Sequence, residues 1–174
     1  MAPAVEKRKR ERGGASIIEV TLMTGILVAT ILPAMGSFLS SMNAQQSLRT
    51  RDLLEDKVRR TMERVVFHLR PAGLNTLDYI PDVPQSSQFV RFKKAVQFDV
   101  NTGPLWGYEM MMQFVNGELS LCQGSYKRVL GKGLTNATFS LDGRTIRIKL
   151  RADGVGPHGE SISVVREGKV TLQN

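Results

Sequence analysis

The side chains able to do chemistry in this 174-residue chain are few and scattered. It has one cysteine, Cys122, and two histidines, His68 and His158, so neither an internal disulfide nor a Cys/His zinc site can be assembled. Asp153 and Glu160 flank a loop rich in Gly and Pro, where two carboxylates are too few to claim a calcium site. Met110, Met111 and Met112 offer soft thioethers, yet strand alternation sends Met111 to the face opposite its neighbours, the pattern of core filling. Cys122, in a strand-like run, reads as a small buried hydrophobe, and His68, near a helix end, as a partly cationic imidazole suited to the helix dipole. Asn136-Ala137-Thr138 matches a glycosylation sequon, a pattern common by chance. No nucleophile–base pair, phosphate loop or paired-carboxylate motif appears, so no enzyme activity, metal or cofactor is expected. The one carboxylate in a chemically costly place is Glu19.

Its setting is set by where the charges fall. Lys and Arg number 24 against 16 Asp and Glu, a formal net charge of +8. Five of the positive charges lie within six positions, at Lys7, Arg8, Lys9, Arg10 and Arg12. Glu19 is then the only charge before Arg49, so the 29 residues Val20 to Leu48 carry no ionisable side chain. Ile17 to Leu39 is 23 residues, which as a helix rises ~35 Å and suffices for a ~30 Å hydrocarbon core. A domain of this size could hardly enclose such a helix on all sides, so a transmembrane segment is favoured over a buried core helix. The basic cluster would stay on the cytoplasmic side and the body would be exported. A cleaved secretory signal also begins with a basic and then an apolar region, but this apolar run is too long and no A-x-A site closes it. Within it, an unpaired Glu19 costs about 2.5–3.5 kcal/mol on insertion scales and calls for a partner.

The run Gly13-Gly14-Ala15-Ser16-Ile17-Ile18-Glu19-Val20 resembles the prepilin processing site of the type IV pilin-like family, which covers pilins, minor pilins and the pseudopilins of type II secretion. The resemblance covers roughly the first 25 to 30 residues. It implies cleavage after Gly14 by a membrane aspartic peptidase that methylates the new amine, making Ala15 the first residue and Glu19 the fifth of the mature chain. Glycine before the cut keeps the peptide bond accessible. Losing a leader with five basic and two acidic residues would lower the net charge from +8 to +5. The resemblance further implies that Glu19 pairs with the Ala15 ammonium of a neighbouring subunit, cancelling two desolvated charges. The sequence departs from the family pattern in having Ala rather than Phe or Met at the new terminus, and in a proline placed slightly early, at Pro33.

The elements that would carry this segment follow from periodicity. Leu54, Val58, Met62, Val65 and Leu69 recur at helical spacing, with charges on the other faces and Pro71 and Gly73 as stops. Glu55 with Arg59 and Asp56 with Arg60 are i,i+4 pairs, and the mixed signs favour a solvated helix surface over a nucleic-acid face. Ser16 to Arg70 would be one helix kinked or loosened at Pro33 and Gly36. Gly25 and Ala29 form a small-xxx-small pair that would suit close helix packing. An irregular connection over 75–88 precedes strands at Phe89–Phe92, Ala95–Val100, Leu105–Val115, Glu118–Cys122 and a short edge at Tyr126–Leu130. Asn116-Gly117 signals a type I′ hairpin, Asp142-Gly143 a turn between Ala137–Leu141 and Thr145–Arg151, and Glu167-Gly168 a turn between Ser161–Val165 and Lys169–Leu172. The expected class is α+β, a long N-terminal helix packed on a C-terminal antiparallel sheet. The expected organisation is a leader over 1–14, a transmembrane or filament-core helix over 15–40, an amphipathic helix over 41–72 and an exported β-rich domain over 73–174. Short stretches at Leu69–Leu74, Thr138–Gly143, Ile146–Leu150 and Val170–Asn174 look similar to larger minor pilins and J-type pseudopilins.

The resemblance therefore implies a structural subunit of a type IV pilus or a type II secretion pseudopilus. Its partners would be other pilin-like subunits, the prepilin peptidase and methylase, and the inner-membrane assembly platform with its ATPase. Its location would be the inner membrane and then the filament. The absence of a cysteine pair favours a minor or pseudopilin role. Two alternatives stay open: a minor pilin whose basic sheet (Arg144, Arg147, Lys149 and Arg151, with Arg91, Lys93 and Lys94) contacts DNA during uptake or an anionic surface, and an unprocessed single-pass membrane anchor.

Overall fold

The computed structural model describes residues 16–99 and 103–172. Helix α1 spans Ile17–Leu69 and is followed by a 3-10 turn at Leu74–Thr76 and seven strands. These are β1 (Phe89–Asp99), β2 (Gly103–Val115), β3 (Glu118–Gln123), β4 (Tyr126–Lys132), β5 (Asn136–Asp142), β6 (Thr145–Val155) and β7 (Ser161–Thr171). The fold is α+β, as the sequence implies. The strands form two antiparallel sheets rather than one: four strands in the order β1-β2-β3-β4, and three in the order β5-β6-β7. The chain divides into two compact units between Asn43 and Ala44, and α1 contributes to both.

Proline at position 33 removes one backbone donor, and Gly36 weakens helix propensity, yet α1 is assigned without interruption through both. The expected loosening there does not break the helix. Its C-terminal end falls where Pro71 and the extended Gly73 (φ −89°, ψ 142°) forbid another turn.

In the unit beginning at Ala44, the α1 stripe Leu54, Val58, Met62, Val65 and Leu69 is buried. It joins Val90, Phe92, Met112, Leu119, Leu130, Phe139, Ile146, Ile148 and Leu150 in one core drawn from both sheets. Met112 is fully buried and Met110 packs against the same core, the filling role that alternation assigns them. Cys122 is only half-buried; paired with Met111 across β2–β3, it lies off the core and 3.6 Å from Gln113 Nε2.

Two glycines allow the helix to approach the sheets closely. A Cβ on Gly131 of β4 would collide with the Thr61 side chain, and one on Gly168 of β7 would lie 2.6 Å from Met62 Sδ. Gly168 therefore corrects the turn expected at Glu167-Gly168. β7 runs straight through it, pairing Glu167 with Lys149 and Gly168 with Ile148, because the residue gives room to α1 rather than reversing the chain. The reversal between β6 and β7 lies instead at residues 156–160.

The Asn116-Gly117 hairpin has positive φ at both positions (50° and 78°), as a type I′ turn requires. In the β5–β6 hairpin, Asp142 pairs with Thr145, which moves the turn one residue on, to Gly143 (φ 61°) and Arg144. The connection between α1 and β1 is more ordered than its composition suggests. Asp78 exchanges backbone hydrogen bonds with Arg91 (2.9 and 3.1 Å), and Ser87 does so with Phe139 (2.8 and 2.7 Å). The segment thus lines the outer edges of β1 and β5, satisfying polar groups that an exposed edge would leave open.

Candidate functional site: an uncovered apolar helix and two charged faces

From Ser16 to Met42 every residue is exposed. Among these are Ile17, Ile18, Val20, Leu22, Met23, Ile26, Leu27, Ile31, Leu32, Met35, Phe38 and Leu39. This part of α1 is long and apolar enough to cross a membrane. Its polar residues have been silenced locally. Thr21 donates to the Ile17 carbonyl at 2.6 Å, Thr24 to Val20 at 2.7 Å and Thr30 to Ile26 at 3.0 Å, so three hydroxyls need no water. Glu19 is the one ionisable side chain of the segment. It sits in the first helical turn, where the exposed amides favour a negative charge, and has no ion pair or hydrogen bond among the described residues. Gly14 and Ala15, the expected processing residues, lie outside the described residues. Ile31, Ala34, Met35, Phe38 and Leu39 share one exposed apolar face of the helix. A Cβ on Gly25 would meet nothing within 4 Å, so the small-xxx-small site is open to a neighbour.

The expected basic face on β6 is present but neutralised. Arg147 is bound by Asp142, Lys149 lies 3.3 Å from Glu167 and Arg151 lies 2.9 Å from Asp153. Arg91 is likewise 2.8 Å from Glu109, while Arg144 has no ion pair among the described residues. Thr138, Ser140, Arg147, Lys149, Glu167 and Lys169 line a cleft of ≈ 290 Å³, three cations against one carboxylate. The two carboxylates considered for calcium are both engaged. Asp153 is held below the usual carboxylate range by Arg151, and Glu160 by the Ser47 hydroxyl at 2.7 Å, with the His158 amide at 3.0 Å.

A second charged face was not evident from the sequence. Arg60, Glu63, Arg64, Phe67 and His68 of α1 and Arg128 of β4 line a cleft of ≈ 370 Å³. Lys94 of β1 reaches His68, its Nζ 2.7 Å from Nδ1. An ammonium can only donate, so His68 accepts on Nδ1 and carries its proton on Nε2. Burial, with the charges of Lys94 and Arg128, holds the His68 pKa below its ordinary value, which corrects the expected cationic imidazole. Burial and Arg128 lower that of Lys94 as well. Arg60, Arg64, Phe67 and His68 share a helix face at spacings four, three and one, which a helical wheel reveals. Lys94 shares the inward face of β1 with Val90 and Phe92, and Arg128 stands opposite buried Leu121. That these strands bring both under the helix end is a tertiary fact.

No protein-family model, curated protein or solved structure matches this chain.

Proposed function

We propose that this protein is a structural subunit, a minor pilin or pseudopilin, of a type IV pilus or a type II secretion pseudopilus. The observation that carries the reading is a single unpartnered carboxylate, Glu19, in the first turn of an otherwise uncharged and wholly exposed helical segment. Such a surface must be covered, by lipid while the subunit is stored and by neighbouring apolar helices once assembled. Cutting after Gly14 places a new ammonium at Ala15, four residues before Glu19, and a staggered neighbour can offer that charge to it. The β-rich domain then faces outward. The inner membrane is the storage site; the peptidase, the assembly platform and its ATPase do the chemical and mechanical work. DNA uptake is the weaker reading, because carboxylates neutralise most of the sheet cations it would rely on.

Intact-mass and N-terminal peptide spectrometry on protein from its own host, with Gly14→Ala alongside, tests the proposal. The expected product begins at a singly methylated Ala15 and is lost in the variant. A full-length chain, indifferent to Gly14, would assign a plain membrane anchor instead.

A further inference from the structure

The cleft beneath the C-terminal end of α1 assembles more cations than the carboxylates around it can balance. Arg60 and Arg64 of the helix and Arg128 of β4 line it against one carboxylate, Glu63, and Lys94 of β1 adjoins it through His68. Glu63 is itself 3.6 Å from Arg59, and Asp56 is shared between Arg59 (2.8 Å) and Arg60 (2.7 Å). Arg64 satisfies one donor on the Leu130 carbonyl at 2.9 Å, while Arg128 has no hydrogen bond or ion pair among the described residues. The helix end contributes a partial charge of only about −0.5. It cannot balance the cluster.

Two side chains show how unusual the arrangement is. Lys94 is a half-buried ammonium whose side-chain partner is a neutral imidazole, not a carboxylate. Beside the cations, Phe67 is 72% exposed, with His68 edge-on to it at 5.4 Å between ring centres. Arginine next to an accessible aromatic ring is the composition of protein-recognition hot spots. Nucleic acid would instead be served by a stripe of cations following successive phosphates, and these three arginines converge on one small cleft.

We propose that this cleft is a docking site for an acidic segment of a partner protein, a carboxylate entering among Arg60, Arg64 and Arg128, with Lys94 adding charge from behind His68, while an adjoining apolar side chain covers Phe67. The guanidinium fork supplies paired donors of the geometry a carboxylate accepts, and the His68 Nε2–H adds a neutral donor at the cleft wall. This inference is independent of the filament reading, since it uses only the unit beginning at Ala44.

The test uses the full chain in neutral detergent, with labelled histidine, titrated with a blocked hexapeptide alternating Glu and Leu. Saturable movement of the His68 ring signals, with an upward shift of its titration midpoint, is expected. The same peptide with Gln for Glu should leave His68 unmoved. Arg128→Ala, an exposed change, should weaken binding about tenfold, and Arg128→Lys should restore part of it. Phe67→Ala gives a second arm that leaves every cation in place, and it too should weaken binding. Equal response to the Gln peptide, indifference to both Arg128→Ala and Phe67→Ala, or tighter binding of inorganic phosphate or a thymidine oligonucleotide at His68 would each overturn the assignment.

Discussion

Up to Met42, α1 presents large apolar side chains on every face and covers none of them; between Leu54 and Leu69 it buries seven residues, two of them polar, Thr61 and His68. The difference lies in how the polar groups are placed. In the second stretch charges occupy the outward faces, and an apolar stripe at helical spacing meets the sheets. In the first there is no charged face, and none of the described residues covers it. One continuous helix is therefore built for two surroundings, and residue pattern rather than helix propensity separates them.

The sharpest way to break this contrast is to cut the same amount of side chain from each part. Ile148→Ala, in the core that the second half covers, should lower stability by about 2–5 kcal/mol, read by Trp106 fluorescence in urea with the full chain in detergent. Leu27→Ala should leave that transition in place, since Leu27 touches none of the core. Equal losses would mean that the apolar segment contributes to the folded domain.

Gly168→Val refines the comparison by testing how closely the buried half sits. Its Cβ would press on Met62 Sδ at 2.6 Å, so a loss of about 1–3 kcal/mol is expected. Met62→Ala should relieve part of it. This glycine also marks the limit of what the sequence reveals. Asn116-Gly117 announces its turn because both φ values must be positive and its flanks alternate. Glu167-Gly168 looks the same locally, yet Gly168 is required by a helix more than 100 residues earlier in the chain. The ends of α1, the inward Met112 and the alternation of β6 could all be read from local pattern. The division into two sheets, the pairing of 78 and 87 with strand edges, and the meeting of Lys94, Arg128 and His68 could not, because each depends on contacts between distant segments.

A smaller effect comes from His68. Its native pKa lies below the ordinary 6.5, so below about pH 6.5 the unfolded chain takes up a proton that the native imidazole refuses. Stability should fall as pH drops from about 6.5 to the lowered native value and level off beneath it, with a slope of at most ~1.4 kcal/mol per pH unit from this group. His68→Gln should flatten that component in urea titrations across the range. The least sensitive site should be the exposed Arg51–Glu55 pair at 2.9 Å, where Arg51→Ala is expected to change stability by under about 0.5 kcal/mol.

The central claim is that the exposed half of α1 is covered by other helices of its own kind. Photo-crosslinking from a reactive residue placed at Leu27, in assembled filament fractions of the native host, tests it directly, with Leu69 as the buried control. The account predicts an adduct from position 27 to a second apolar helix, from another copy or a companion subunit, that is lost with Glu19→Lys, and no adduct from position 69. Crosslinks from position 27 to lipid alone, unchanged by Glu19→Lys, would contradict it.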